Sequence, residues 1–481
     1  MTVRRALAFS YAEKYGSFVL SLLSTMAISR LLGPAEIGVF SIGMALVSLI
    51  AVVREFGIST YLLQEAELNE QRIRAAFTLT VGLGVGLSLL VLLLSIPAGR
   101  FYGNADVTSV VAILALNFAL TPFGGVAQAL LTRDMHFGTL TWIRLSQSMI
   151  LAAGSVALAA AGLGPQSLAW GAVMATLSNV VMSYLMRPHP IRLTFARADL
   201  RRVFAVGGPA TAIGIIDDID ASLPELLLGR LQTVRDAGLF SRARGMSQMA
   251  HQLLARAAAP VFLAVFADRQ RKGESLAPLY AKATACVTAI GWVALAMLAV
   301  LAEPVVRVLF GANWLAVVPL MRWLCLAAAI ELLTSGAHHL LLACGAVRNL
   351  MRAKLVALPV QVIGLWAGAS LGVEWMAIAM VLSSSVKSVL LALAVRRRLG
   401  IDLRAQLVPA IVSAPITAAA FVGASVSLLM AAPTSFAGSV GLLLLGSALG
   451  LAFAAAVLAT GPHPLKDEVA LVLSRLRRGF S

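Results

Sequence analysis

The chain has 481 residues, of which 59% are hydrophobic and only 12% are charged, and its mean hydropathy is +0.89. A soluble chain carries about 25% charged residues, so this composition excludes a soluble protein. The formal net charge of +16 does not indicate nucleic-acid binding, because the basic residues lie in short connections between long apolar stretches. We therefore predict an integral membrane protein that has no nucleic-acid partner.

Apolar stretches of about 20 residues, each long enough to span a bilayer as a helix, follow one another along the whole chain. We count about fourteen of them, near residues 7–31, 35–63, 75–99, 107–132, 138–161, 165–186, 203–229, 235–266, 276–302, 314–343, 350–371, 373–395, 405–431 and 437–460. Lys and Arg concentrate in every second connection. By the positive-inside rule, this alternation predicts that both termini lie in the cytoplasm.

A short polar corner occurs twice, after the first and after the seventh apolar stretch. It reads SRLLGPAEIGVFS at 29–41 and GRLQTVRDAGLFS at 229–241, so that Arg30, Gly38 and Ser41 recur as Arg230, Gly238 and Ser241. A second echo joins RFYGNADV at 100–107 with RVLFGANWLAV at 307–317. Self-similarity of this kind indicates an internal repeat.

The repeat predicts two parallel six-helix lobes followed by two more helices. The predicted organisation is an N-lobe at 1–186, a basic cytoplasmic linker at 187–202, a C-lobe at 203–398, and two C-terminal helices with a basic cytoplasmic tail at 399–481. Parallel repeats related by an axis along the membrane normal are one plan of secondary transporters, with the substrate between the lobes. A packed bundle without a cavity is the alternative.

Charged side chains inside apolar stretches are the second signal, because a charge near the bilayer centre costs about 2.5–3.5 kcal/mol and faces a cavity or a partner. The candidate cavity residues are Arg54, Arg242, Arg256, Lys282, Arg322 and Lys387. Arg242 and Arg256 lie within about 40° of one helix face and some 21 Å apart along the axis. A ladder of cations across the membrane suits an anionic substrate, particularly a diphosphate, because Arg grips phosphate oxygens in a bidentate manner.

Acidic groups and one histidine accompany these cations. The candidate coupling or charge-pair residues are Glu55, Asp217, Asp218, Asp220 and His251. Asp217 and Asp220 share a helix face, and they either pair with the arginines or take up H⁺ or Na⁺ as a coupling ion. For each single charge, an internal salt bridge that holds helices together is the alternative.

The sequence contains no motif typical of a metal-binding or cofactor-binding site. The cysteines Cys286, Cys325 and Cys344 fall inside apolar stretches and match neither a metal site nor a disulfide framework. His338 and His339 are adjacent, so they point about 100° apart on a helix and do not favour one ion. We therefore expect no metal and no cofactor other than a coupling H⁺ or Na⁺.

The segment SRLLGPAEIGVFSIGMALVSLIAVVREFGISTYLLQ at 29–64, together with ALLTRDMHF at 129–137, resembles the polysaccharide transporter (Wzx-type) family. These lipid-linked oligosaccharide flippases belong to the multidrug/oligosaccharidyl-lipid/polysaccharide (MOP) exporter superfamily. The resemblance implies a MATE-like fold and a multi-pass protein of the bacterial inner membrane. It also implies the movement of undecaprenyl-diphosphate-linked oligosaccharides by alternating access, for exopolysaccharide, O-antigen or capsule synthesis. The implied partners are that lipid-linked glycan, membrane lipids and a glycan polymerase.

Three alternatives stay open at this point. A lipid II-type flippase and a multidrug exporter share the superfamily, although the basic excess argues against a cationic drug. A membrane glycosyltransferase or polymerase needs a sizeable outer loop with acid and base groups, whereas the outer connections here are a few residues long. We therefore expect that the chain is not an enzyme.

The doubled corner is predicted to form the symmetric outer elbow of each lobe. The elbow residues are Arg30, Gly33, Pro34, Gly38, Arg230 and Gly238. Gly33 and Pro34 break the first helix, and Gly38 allows the chain to re-enter the membrane. We expect Arg30 and Arg230 to interact with Glu36 and Asp236 or with lipid headgroups.

Overall fold

The computed structural model of the chain describes residues 3–54, 62, 70–187, 197–430, 435–466, 468 and 470, and of these it describes only the helical backbone at 3–12, 53, 197–213, 250–264, 267 and 430. Almost all of this part is helical, as expected for segments that must satisfy their backbone hydrogen bonds internally within lipid. The all-helical membrane fold predicted from composition is thereby confirmed.

Contacts divide the chain into two compact units, Met1–Gly238 and Leu239–Ser481. The first unit contains α1 (Val3–Leu31), α2 (Pro34–Arg54), α3 (Glu70–Tyr102), α4 (Ala105–Arg133), α5 (Phe137–Ala160), α6 (Gln166–Met186) and α7 (Arg197–Leu231). The next helix, α8 (Val234–Arg271), begins in the first unit and continues into the second. The predicted lobe boundaries at 186 and 203 stay a prediction.

The second unit contains the remaining helices. They are α9 (Ala277–Val300), α10 (Ala302–Leu309), a 3₁₀ turn (Ala312–Trp314), α11 (Val317–Leu332), α12 (Ser335–Ala343), α13 (Val347–Leu371), α14 (Val373–Leu399), α15 (Leu403–Met430) and α16 (Phe436–Thr460). Within this unit α9 packs against α15, α13 against α14, and α15 against α16. This packing joins the two C-terminal helices to α9.

Eleven spans within the described residues are long and apolar enough to cross a membrane. They comprise α2 to α6, α9, the α11–α12 pair and α13 to α16. The other three predicted spans form the long helices α1, α7 and α8, which carry many of the charges. The protein is thus a multi-pass membrane protein, and the number of fourteen crossings stays a prediction.

One predicted span, 314–343, is divided by a break. Helix α11 ends at Leu332 and α12 begins at Ser335. Between them the backbone changes to i→i−3 hydrogen bonds, from Leu333 N to Ile330 O (3.2 Å) and from Thr334 N to Glu331 O (3.2 Å). Breaks inside a membrane helix are tolerated where neighbours satisfy the freed backbone groups. Here Ser388 Oγ of α14 donates to Ile330 O at 3.2 Å.

Candidate functional site

The best-defined charged site in the first unit surrounds Arg54, the last residue of α2. Its Nη1 donates to Thr121 Oγ1 of α4 at 3.3 Å, and its guanidinium lies 5.7 Å from the centre of the Phe118 ring. Thr121 Oγ1 in turn donates to the Asn117 carbonyl oxygen at 2.6 Å. A guanidinium held over an aromatic face is attracted by the ring quadrupole, so α4 fixes the direction in which Arg54 points.

Asn117 adds a polar group that our sequence reasoning missed. Its Oδ1 is buried and has no hydrogen-bond partner in the described part of the chain. Buried acceptors in native proteins are nearly always satisfied, so an unsatisfied one requires an explanation such as a bound ligand. An Asn within the apolar run LALNFALTP was the available signal, although a neutral amide is a weaker indication of a site than a charge.

The acidic residues of α7 lie on a helix that packs against α2. Ser48 Oγ of α2 and Ser222 Oγ of α7 are 2.9 Å apart. A Cβ added at Gly214 would lie 3.2 Å from Val52 Cγ1, so α7 packs closely against the Val52 side chain of α2. Asp217 is exposed, whereas Asp218 and Asp220 are half-buried. The structure therefore brings Arg54 and the acidic stretch of α7 onto adjacent helices of the same unit.

Arg242 is the best-defined predicted cation of α8. Its guanidinium lies 5.9 Å from the ring centres of both Phe310 and Trp314, in the turn between α10 and α11. Its Nε is buried and has no hydrogen-bond partner within the described residues. Two aromatic faces thus hold the cation while leaving a guanidinium N–H unused, which is a geometry that can accept an anionic ligand.

The other predicted cations have different surroundings. Lys282 Nζ lies 2.6 Å from Glu468 Oε1, and Lys387 Nζ lies 3.5 Å from Glu331 Oε1, so ion pairing of the kind we kept as the alternative occurs at both. Arg322 is exposed. Glu55 and the side chains of His251 and Arg256 lie outside the described residues. The assignment of these residues to one cavity stays a prediction.

Each of the two elbows contains a helix start that is capped by a side chain. Gly33 N donates to Glu36 Oε2 at 2.7 Å, which satisfies one of the free N–H groups at the start of α2. In the second copy, Asp236 N donates to Thr233 Oγ1 at 3.1 Å, and Thr233 Oγ1 donates to Asp236 Oδ2 at 2.6 Å. The Glu36 carboxylate therefore caps the start of α2, whereas at the start of α8 the Thr233 hydroxyl is the cap and the Asp236 carboxylate accepts a hydrogen bond from it.

Arg230 has a partner that we did not predict from the sequence. Its guanidinium lies 5.0 Å from the centre of the Phe101 ring of α3. Phe101 is followed by Tyr102, the last residue of α3. The Tyr102 hydroxyl donates to the Leu226 carbonyl oxygen of α7 at 3.3 Å. The second elbow is thereby attached to the end of α3.

The elbows meet at two glycines, Gly38 of α2 and Gly238 of α8. A Cβ added at Gly38 would overlap the Val234 carbonyl oxygen, and one added at Gly238 would overlap the Pro34 carbonyl oxygen. The same Cβ atoms would lie 3.0 Å from Gly238 N and 2.8 Å from Gly38 N, respectively. Each glycine therefore makes room for the backbone of the other copy, which explains why Gly occurs at both positions.

Metal chemistry has no candidate ligand group within the described residues, where no cluster of three or more His, Cys, Asp or Glu side chains occurs. The three cysteines are free thiols. The charged groups around Arg54 and Arg242 are thus the features from which a function can be argued.

Comparison with known proteins gives a family match over most of the chain. Residues 27–319 match the family model described as "Polysaccharide biosynthesis protein". The chain is 25% identical over 330 residues to the lipopolysaccharide biosynthesis protein WzxC of Escherichia coli (strain K12), covering 67% of this chain and 66% of WzxC. It is 25% identical over 337 residues to the succinoglycan biosynthesis transport protein ExoT of Rhizobium meliloti (strain 1021), covering 68% and 67%. The chain thus spans about two thirds of the length of these relatives.

Solved structures share the architecture at low sequence identity. The lipid II flippase MurJ, in an inward closed conformation, superposes with a TM-score of 0.73 and 12% identity, covering 93% of this chain and 98% of that one. An inward-facing multidrug resistance MATE family transporter of the MOP superfamily superposes with a TM-score of 0.64 and 15% identity, covering 80% and 94%. At these identities the similarity shows the fold alone, and it confirms the predicted MATE-like architecture. ExoT is named as a transport protein, and the two structural neighbours are named as a flippase and a transporter, in agreement with the prediction that the chain is not an enzyme.

Proposed function

Since its residues 27–319 match the family model, the chain belongs to the polysaccharide biosynthesis protein family, and on this basis we propose that it flips lipid-linked oligosaccharides across a bacterial inner membrane. The substrate is a repeat unit linked through diphosphate to a polyprenyl carrier such as undecaprenol. Transport proceeds by alternating access and serves exopolysaccharide, O-antigen or capsule synthesis. Both termini lie in the cytoplasm, and a glycan polymerase receives the product.

The observation that carries this proposal is the Arg54 site. A guanidinium inside a membrane helix bundle costs free energy unless it serves a ligand or a partner. Arg54 donates to the neutral Thr121 hydroxyl at 3.3 Å and lies over the Phe118 ring, and the unsatisfied Oδ1 belongs to Asn117, one helical turn before Thr121. Guanidinium binds diphosphate oxygens, the amide and the aromatic ring suit a sugar, and together they fit the polar part of the substrate.

Arg242 supplies an equivalent cation in the second unit. Its partners in the described contacts are aromatic rings, so its charge is not cancelled by a carboxylate there. The carboxylates Asp217 and Asp220 are candidate carriers of a coupling H⁺ or Na⁺. Their exposed or half-buried side chains can exchange an ion with water in the cavity that alternating access requires.

The test is the polyprenyl-linked glycan pool of a strain that lacks this protein, identified by mass spectrometry. We expect a completed repeat unit to accumulate on its carrier, and the wild-type protein to clear it. Arg54→Ala is expected to leave the pool uncleared, and Arg54→Lys to clear it only slowly, because Lys cannot bind phosphate in a bidentate manner.

Arg74→Ala is the matched control. Arg74 Nη2 pairs with Glu70 Oε2 at 2.8 Å in an i,i+4 bridge at the start of α3, so its loss removes the same charge without touching the site. An unchanged carrier pool in the deletion strain would refute the flippase proposal. Full clearance by Arg54→Ala would refute the role of Arg54.

A further inference from the structure

The two copies of the repeated corner differ in charge directly after the shared serine. Ser41 is followed by Ile42 in the first copy, whereas the equivalent Ser241 is followed by Arg242 in the second. Ile42 is fully buried, so an aliphatic side chain suffices for packing at this place in the repeated fold. A charge inside the bilayer costs free energy unless it serves a ligand or a partner. A packing role therefore does not explain why the second copy carries an arginine.

The surroundings of Arg242 hold its guanidinium in one place. Phe310 and Trp314, whose ring centres each lie 5.9 Å from the guanidinium, are buried, and their rings also contact each other at 5.9 Å. The turn that carries them contains Gly311 with a φ of +93°. Contacts with aromatic faces orient a cation but leave its N–H groups available. The side chain of Arg242 is half-buried, and its buried Nε has no hydrogen-bond partner among the described residues, which requires an explanation such as a bound ligand.

Arg242 and Arg54 lie at different distances from the elbows at which their own helices begin. At a rise of about 1.5 Å per residue, Arg242 lies about 12 Å along α8 from its start at Val234. Arg54 lies about 30 Å along α2 from its start at Pro34, a length similar to the thickness of the hydrocarbon core. Both helices begin at the outer elbows in the proposed orientation. Arg242 therefore lies in the outer half of the membrane, whereas Arg54 lies near its inner side.

We propose that Arg242 is an outer binding site for the diphosphate of the lipid-linked glycan, which it binds before release, whereas Arg54 binds the same diphosphate on entry. This inference rests on the proposed flippase function. Arginine binds phosphate oxygens through two parallel hydrogen bonds, and Phe310 and Trp314 are the positioning residues that fix its direction. A phospholipid headgroup offers a single phosphodiester and is the weaker ligand.

The first test is a titration of the purified full-length protein in detergent with inorganic diphosphate, followed by tryptophan fluorescence. Trp314 lies beside the Arg242 guanidinium, so an anion bound there should change its emission until the site is saturated. Trp314→Phe keeps an aromatic face for the cation and should remove this change. Inorganic phosphate and phosphatidylglycerol should each bind about tenfold more weakly, because they offer one phosphoryl group instead of two.

Arg242→Ile is the most informative variant, because the first copy carries Ile at this place. It should weaken the binding of diphosphate about tenfold and leave the midpoint of thermal unfolding at or above that of the wild type. Arg242→Gln keeps a polar side chain and should weaken binding to a similar extent. Arg307→Gln is the matched control. It removes a positive charge from α10, where Arg307 pairs with Glu303 at 2.9 Å, and it should bind diphosphate as the wild type does.

The role in release is tested in proteoliposomes, by the rate at which the lipid-linked glycan crosses the membrane as its concentration is varied. Arg54→Ala should raise the concentration that gives half the maximal rate, because entry of the substrate is impaired. Arg242→Ile should lower the maximal rate without raising that concentration, because release becomes the slow step. The two variants are thereby distinguished in the same assay.

The outcomes separate this inference from the proposed function. Unchanged binding of diphosphate by Arg242→Ile and Arg242→Gln, or equally tight binding of phosphatidylglycerol by the wild type, would overturn the diphosphate site. An equal rise of the half-saturating concentration in Arg54→Ala and Arg242→Ile would overturn the role in release. If wild-type proteoliposomes move no lipid-linked glycan, the flippase proposal fails and the role in release fails with it, whereas the titration still decides whether Arg242 binds diphosphate.

Discussion

The contact between the two elbows predicts a strong effect for a single methyl group. Gly38→Ala places a Cβ against the Val234 carbonyl group and 3.0 Å from Gly238 N. Both neighbours are backbone, so no side-chain rotation can relieve the overlap, and the helices must separate. Overpacking of this kind lowers the free energy of unfolding by about 1–3 kcal/mol. We expect a value at the upper end of this range, because the neighbouring atoms belong to the backbone and cannot move aside. Ala gains about 1 kcal/mol of helix propensity over Gly, which leaves a net loss of about 2 kcal/mol.

We expect this loss as a fall in the midpoint of thermal unfolding of the purified protein in detergent. For a chain of this size, about 2 kcal/mol corresponds to a fall of roughly 4 °C or less. Gly238→Ala should behave in the same way, because its Cβ would overlap the Pro34 carbonyl group. Clearance of the lipid-linked glycan should fall with both variants.

Gly245→Ala is the matched control on the same helix, since a Cβ there meets nothing within 4 Å. It keeps the gain in helix propensity without the overlap, so its unfolding temperature should equal or exceed that of the wild type. If Gly38→Ala and Gly245→Ala unfold at the same temperature, the reasoning from backbone contact is wrong.

Three further predictions concern the second unit. Burial lowers the pKa of His463, so the unfolded chain binds a proton at a higher pH than the folded protein does. Thermal stability should therefore fall as the pH drops below about 6.5. His463→Gln should reduce this pH dependence in melting curves recorded between pH 7.5 and 5.5. Lys387→Ala removes the cation that pairs with the Glu331 carboxylate, which also accepts from Ser384 Oγ at 3.1 Å. The free energy of unfolding should fall by about 1–2 kcal/mol, because the pair is partly exposed and breaking a fully buried pair costs more. The double variant with Glu331→Gln should recover most of this loss in urea or thermal unfolding. Ser435→Ala removes the hydrogen bond from Gly438 N (3.0 Å) at the start of α16 and should cost about 1 kcal/mol. Ser425→Ala, at a half-buried position where the hydroxyl donates to the Phe421 carbonyl oxygen within α15, should leave the unfolding midpoint unchanged.

The membrane helices could be predicted from the sequence because lipid imposes a simple rule. A segment of about 20 apolar residues has no alternative to a helix in the bilayer, so most helix positions follow from hydropathy. The break between Leu332 and Ser335 could not be predicted in this way. It depends on Ser388 of another helix, which supplies a donor to the Ile330 carbonyl oxygen.

The charged residues show the same limit for the site. Their presence within spans is visible in the sequence, but their partners depend on tertiary packing. Lys282 pairs with Glu468, which lies almost 200 residues away in the chain, and no periodicity connects them. Asn117 was missed because a neutral amide gives little signal in a hydropathy profile, although it lies one helical turn before Thr121, the hydrogen-bond partner of Arg54.

The contact between Gly38 and Gly238 also suggests why the corner is still recognisable as a repeat in the sequence. At this contact each copy of the corner packs against the other, so a larger residue in either copy disturbs both. Apart from this corner and the echo between 100–107 and 307–317, the sequence shows little internal similarity. The corner could change only if both copies changed compatibly, which accounts for the survival of the repeat at this place in the sequence.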